Sequence, residues 1–142
     1  MVPDSSLALR DKLRNRAQGY LQPGEQIQEV FLAQAGPNPN LGFITSYVVF
    51  FNRYKVVAVT NQAVLVLSAG LFSPAKPKAV EARIPRTTVL GPPEGAVWSR
   101  VNLPDAKGKT SWVHRRFYKD VTAADSEIAS SMATQWAPPP PA

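Results

Sequence analysis

"YKVVAVTNQAVLVLS", residues 54–68, decides how the rest of the chain is read. Two runs rich in Val and Leu, Tyr54–Thr60 and Ala63–Ser68, flank the polar pair Asn61-Gln62. Branched apolar residues suit a pleated, half-buried surface, and a two-residue polar link is the commonest way to reverse a strand, so the stretch predicts a β-hairpin. Upstream, Gln26–Ala35 supplies Ile27, Val30, Phe31 and Leu32, a strand whose alternation breaks as a bulge would break it. Gly36-Pro37-Asn38-Pro39-Asn40 stops it. Downstream, Val80–Arg86, Ala96–Leu103 and Ser111–Phe117 read as further strands, the last two joined by the turn-forming run Pro104 to Lys109.

Helices flank this β region. Ser5 or Ser6 can cap a first helix with Leu9, Leu13, Ala17 and Tyr20 on one narrow stripe, ended by Gly19 and Pro23-Gly24. A last helix is expected from Thr122, with Asp125 completing a variant capping box and Ala124, Ile128 and Met132 on one face. The expected class is mainly β with helices (α+β). Its architecture is an open antiparallel barrel capped by the C-terminal helix, with an extra N-terminal helix. The chain divides into an N-terminal basic amphipathic helix (1–22), the barrel domain (23–135) with an apolar insertion (41–52), and a proline-rich tail (136–142) that cannot join a packed core.

Three stretches, "LQPGEQIQEVF", "YKVVAVTNQAVLVL" and "EARIPRTTVLG", resemble the bacterial pleckstrin-homology-like (PH-like) domains. In that family a Pro-Gly-Glu opens the first strand, a "VTN" or "VTD" turn joins a hydrophobic hairpin, and an "IP" strand follows. The terminal "DVTAADSEIASSM" would be the closing helix. The resemblance covers most of Leu21 to Met132 and implies a fold; its motifs are strand-and-turn patterns that carry no catalytic signature and no lipid site. The N-terminal helix and the 41–52 insertion depart from the pattern.

The insertion is unusually hydrophobic. As a helix, Leu41, Ile44, Val48 and Phe51 form a stripe widened by Phe43, Tyr47 and Phe50; as a strand it would need burial on both faces. It is too short to cross a bilayer, which takes about twenty apolar residues. Burial against the barrel, an interface with a partner, and shallow insertion in lipid remain as environments, and Phe43, Ile44, Tyr47, Phe50 and Phe51 are the candidate interface.

Sixteen Lys and Arg against ten Asp and Glu give a net charge of +6, which makes anionic partners accessible. Arg10, Lys12, Arg14 and Arg16 on the first helix, and Lys107 and Lys109 in the hairpin loop, are the candidate anion contacts. Arg115, Arg116 and Lys119 beside Trp112, Phe117 and Tyr118 would suit single-stranded nucleic acid, although alternation of core and solvent positions explains the same residues. With no cysteine and one histidine, His114, disulfides, thiolate chemistry and multi-histidine metal sites are excluded, and no phosphate loop or nucleophile elbow is present.

The expectation is therefore a bacterial, non-catalytic adaptor that binds a second copy or another protein. The alternative is a binder of anionic ligands, acidic phospholipid before nucleic acid. No small-molecule substrate and no cofactor are expected. The opening Met-Val-Pro-Asp-Ser-Ser lacks the features of a signal peptide, so a cytoplasmic location is expected, with peripheral contact at the inner membrane face as its variant.

Overall fold

The computed structural model describes residues 5–36, 53–69, 76–105 and 108–129. In chain order these form α1 (Ser5–Ala17), a 3-10 turn (Gln18–Tyr20), β1 (Ile27–Ala35), β2 (Arg53–Thr60), β3 (Ala63–Ala69), β4 (Pro77–Pro85), β5 (Trp98–Val101), β6 (Ser111–His114), a second 3-10 turn (Arg115–Phe117) and α2 (Tyr118–Ser126). The six strands make one open antiparallel sheet in the order β4-β3-β2-β1-β6-β5. The fold is α+β.

The hairpin forms as its sequence dictates, with Val59 opposite Val64 and Val57 opposite Val66 around Asn61-Gln62. Its continuous apolar runs have a simple cause: both faces of the sheet are covered. One face packs Phe31, Val57, Val59, Val64 and Val66 with Val113, Phe117, Val121 and Ala124, the last three from the second 3-10 turn and α2. Residues one step out of phase, Val30, Val56, Ala58, Leu65 and Leu67, pack on the other face with Leu13 and Ala17 of α1. The two-residue period of a strand sends alternate side chains to opposite covers. The break in β1 is a register shift between Ile27 and Glu29, where the expected bulge lies.

Several boundaries differ from expectation, β4 among them at Pro77–Pro85. The last strand ends at His114, short of Phe117, because the imidazole Nδ1 accepts the Arg116 N–H at 3.1 Å and turns the chain into the 3-10 segment, which puts Phe117 in the core. The closing helix then begins at Tyr118, four residues before Thr122. Asp125 is no helix cap: its two carboxylate oxygens accept the N–H groups of Leu90 and Gly91 at 2.8 and 2.9 Å and hold that loop against α2. β5 is also shorter than the expected strand, because Asn102 leaves the sheet to donate its N–H to the Leu90 carbonyl. Met132 and the tail lie outside the described residues.

The sequence motifs at the start of β1 and in the hairpin turn meet in space. Gly24 adopts φ +78°, a conformation that favours glycine, and swings the Glu25 side chain into the fold. There Glu25 accepts both terminal nitrogens of Arg83 at 3.0 and 2.8 Å, the Thr60 hydroxyl at 2.5 Å and the Gln22 N–H at 2.9 Å. Burial pushes this carboxyl up, but the Arg83, Thr60 and Gln22 bonds outweigh it and hold the group below the usual glutamate range. Asn61 completes the clamp, accepting the Gln26 N–H on its side-chain oxygen and donating its own N–H to the Gln26 carbonyl.

Candidate binding surface

The face covered by α1 continues past that helix towards β6 and β5, where it carries a different set of residues. Register places Tyr54, Gln34, Trp112 and Arg100 in one row across β2, β1, β6 and β5, with Trp98 and His114 paired in the next. The Arg100 guanidinium lies 5.9 Å from the Trp112 ring, and Trp98 meets His114 edge-on at 5.0 Å between centroids. Trp112 donates its indole N–H to the Gly36 carbonyl at 3.0 Å, which fixes the ring beside the end of β1.

Two depressions share Trp98. An open groove of about 580 Å³ runs between the 90–95 loop and β5, with Glu94, Arg100, Asn102 and Trp112 among its walls. A smaller notch of about 130 Å³ is lined by Leu32, Gln34, Tyr54, His114 and Arg116. Gly95 is required beside the groove, since a Cβ there would sit 1.7 Å from the Trp98 carbonyl oxygen. The loop is further tied by the Tyr118 hydroxyl, which donates to the Gly95 carbonyl at 2.8 Å.

His114 is held below the ordinary histidine pKa by burial and by the neighbouring Arg116 and Arg115, and its Nδ1 is engaged by Arg116, so the ring is a neutral turn-former at pH 7. Guanidinium groups beside aromatic planes suit peptide or other planar and anionic partners. Among the described residues, no group of three or more His, Asp or Glu is placed to hold a metal ion.

The expected anion contacts separate. Arg10 grips Asp120 with Nε at 3.1 Å and Nη2 at 2.9 Å, donates to the Arg116 carbonyl, and lies 5.4 Å from the Phe117 ring, so its charge joins α1 to α2. Arg14 donates to the Ile27 carbonyl at 2.9 Å and ties α1 to β1. Lys12 and Arg16 are exposed. Lys109 is half-buried, its backbone N–H donated to Asp105, and Lys107 lies outside the described residues. So do Phe43, Ile44, Tyr47, Phe50 and Phe51. Of the aromatic–basic group near the C terminus, Phe117 is core and Trp112 is nearly buried, while Arg115, Arg116 and Lys119 are exposed.

One charged cluster escaped sequence reasoning. Glu29 of β1 faces Glu127 and Asp120, with Arg10 against Asp120 and Arg86 against Glu127; burial first, then Glu127 and Asp120, push the Glu29 carboxyl up to about 8. Buried Arg86 also donates to the Gln28 side chain and the Ala124 carbonyl. No local pattern marks these residues, which come from four separate parts of the chain. Trp98, Arg100, Trp112 and His114 did carry a signal, the i, i+2 spacing within each arm of a hairpin. Comparison with family models, curated proteins and solved structures gives no match in any of the three.

Proposed function

We propose that the chain is a non-catalytic binding module of PH-like architecture that associates with a second copy or a protein partner through its apolar insertion. The observation that carries this reading is that the described body fills both faces of its sheet with its own side chains, α1 on one and α2 on the other. In sequence the insertion lies between β1 and β2. Ala35 pairs with Arg53, so the chain leaves β1 and rejoins β2 at neighbouring points of one hairpin end. That end adjoins Tyr54, Trp112 and Trp98, whose aromatic and basic surroundings suit the margin of a protein interface. The PH-like reading draws support from the antiparallel order of the strands, the closing helix against one face, and the clamp that unites the Pro-Gly-Glu and Val-Thr-Asn motifs.

Light scattering after size separation tests it. The intact chain should show a mass that rises with concentration towards a multiple of the monomer, or should capture a defined protein partner. Phe50→Asp and Phe51→Asp should give a folded monomer with an unchanged melting temperature. A monomeric wild type whose Phe50→Asp variant melts lower would place the insertion in the core of its own domain and defeat the proposal. A variant unchanged in mass and stability that loses only vesicle binding would assign the insertion to lipid.

For the anion-binding alternative, Lys12 and Arg16 are exposed on α1, whereas Arg10 and Arg14 bond within the fold. Binding of this kind would weaken steeply with salt, and an apolar interface would not. Among the described residues no helix is long and apolar enough to cross a membrane.

A further inference from the structure

A deeply buried lysine lies near the start of β2. Lys55 shares the sheet face of Val57 and Val59, is flanked across the strands by Ala33 and Ser68, and is 1% exposed. Its Nζ stands 2.7 Å from Asp105 Oδ1, 3.1 Å from Glu81 Oε1 and 3.2 Å from the Pro104 carbonyl oxygen. The Asp105 side chain is wholly buried, and that of Glu81 is 13% exposed.

We propose that Lys55, Asp105 and Glu81 form a self-processing site that joins Lys55 to Asp105 through an amide bond. Three chemical roles converge within contact distance: an amine as nucleophile, a carboxyl carbon as electrophile, and a second carboxylate to carry a proton. The ion-pair contact sets the amine beside the carboxyl group whose Cγ it would attack, with Lys55 carried by β2 and Glu81 by β4, an arrangement that replaces an intermolecular encounter by an internal one. The Pro104 carbonyl accepts from Nζ and keeps the amine beside the neighbouring Asp105. A buried ion pair adds little net stability, so attraction alone is a weak reason to sink one lysine and two acids into an apolar face.

The step balances without any co-reactant. In the first step a proton passes from the Lys55 ammonium to the Asp105 carboxylate, leaving a neutral amine and a neutral acid. The Nζ lone pair then attacks Cγ and opens its C=O bond to a tetrahedral intermediate. Glu81 takes one proton from nitrogen and delivers it to the departing hydroxyl, which leaves as water while the C=O bond reforms. One positive and one negative charge disappear together. The product fastens β2 to the loop that follows β5, a strand that is not its neighbour in the sheet, in a chain with no cysteine to make such a link by oxidation.

Mass spectrometry of the natively purified and then denatured full chain tests this. Protease digestion should yield a branched peptide in which Lys55 is joined to Asp105, lighter than its two parts by one water. Lys55→Arg should abolish the branch and the water loss. Glu81→Gln, checked for folding by circular dichroism, should keep both peptides linear, and Asp105→Asn should release ammonia in place of water. Linear Lys55 and Asp105 peptides from the wild type would overturn the proposal by themselves, whatever the variants do. So would a water loss that survives Lys55→Arg, which would indicate a cyclic imide within the Asp105 backbone.

Discussion

The Glu25 clamp gives the sharpest test of how this fold is held together, and Arg83→Met is the perturbation. Glu25 has a side chain with no solvent exposure, and Arg83 supplies two of the bonds that compensate its charge, at 3.0 and 2.8 Å. Removing the guanidinium leaves a buried carboxylate held by the Thr60 hydroxyl and the Gln22 N–H alone. Breaking one side of a fully buried pair costs about 3–5 kcal/mol. The Arg83 side chain is 28% exposed, so part of its attraction is already screened by water, and a loss of about 2–3 kcal/mol at pH 7 is expected. Urea unfolding of wild type and variant measures it. The pH dependence separates the ion pair from lost packing. In the wild type the carboxyl titrates below its ordinary value, so its contribution is present above the unfolded pKa and is lost as pH falls through the folded one. In Arg83→Met the folded pKa rises, and the deficit relative to wild type should shrink when both are measured in acid. A deficit below about 0.5 kcal/mol at pH 7, or one that is the same at pH 7 and in acid, would refute this account.

Glu29 should act in the opposite sense. Its folded pKa of about 8 exceeds the ordinary 4.5, so the folded state holds the extra proton and stability should fall as pH rises between those values. Glu29→Gln should therefore melt with the wild type near pH 5 and be more stable by about 2 kcal/mol at pH 9, after allowance for the partial exposure of the group; equal stabilities at both pH values would count against it. Leu13→Ala should cost about 2–5 kcal/mol because the side chain is fully buried between α1 and the sheet, whereas exposed Lys12→Ala should change denaturant stability by less than about 0.5 kcal/mol.

Much of the local structure is legible in the chain. The two-residue period and the Asn61-Gln62 turn determine the hairpin, because strand pairing over so short a link involves only neighbours in sequence. The spacing of Leu13 and Ala17 marks the buried side of α1 for the same reason, and the fault in the alternation of β1 marks its bulge. Tertiary structure decided what distant residues do to one another. Asp125 looks like a helix cap in sequence and instead grips the N–H groups of Leu90 and Gly91, more than thirty residues away. Arg10 looks like a membrane-facing cation and instead pairs with Asp120. Lys55 looks like a polar residue at a strand end, and the register of β2 turns it inward against Glu81 and Asp105. A charged side chain settles on whichever partner the fold brings within a few ångströms, and a fold assembled from strands far apart in sequence writes no periodic trace of that partner into the chain.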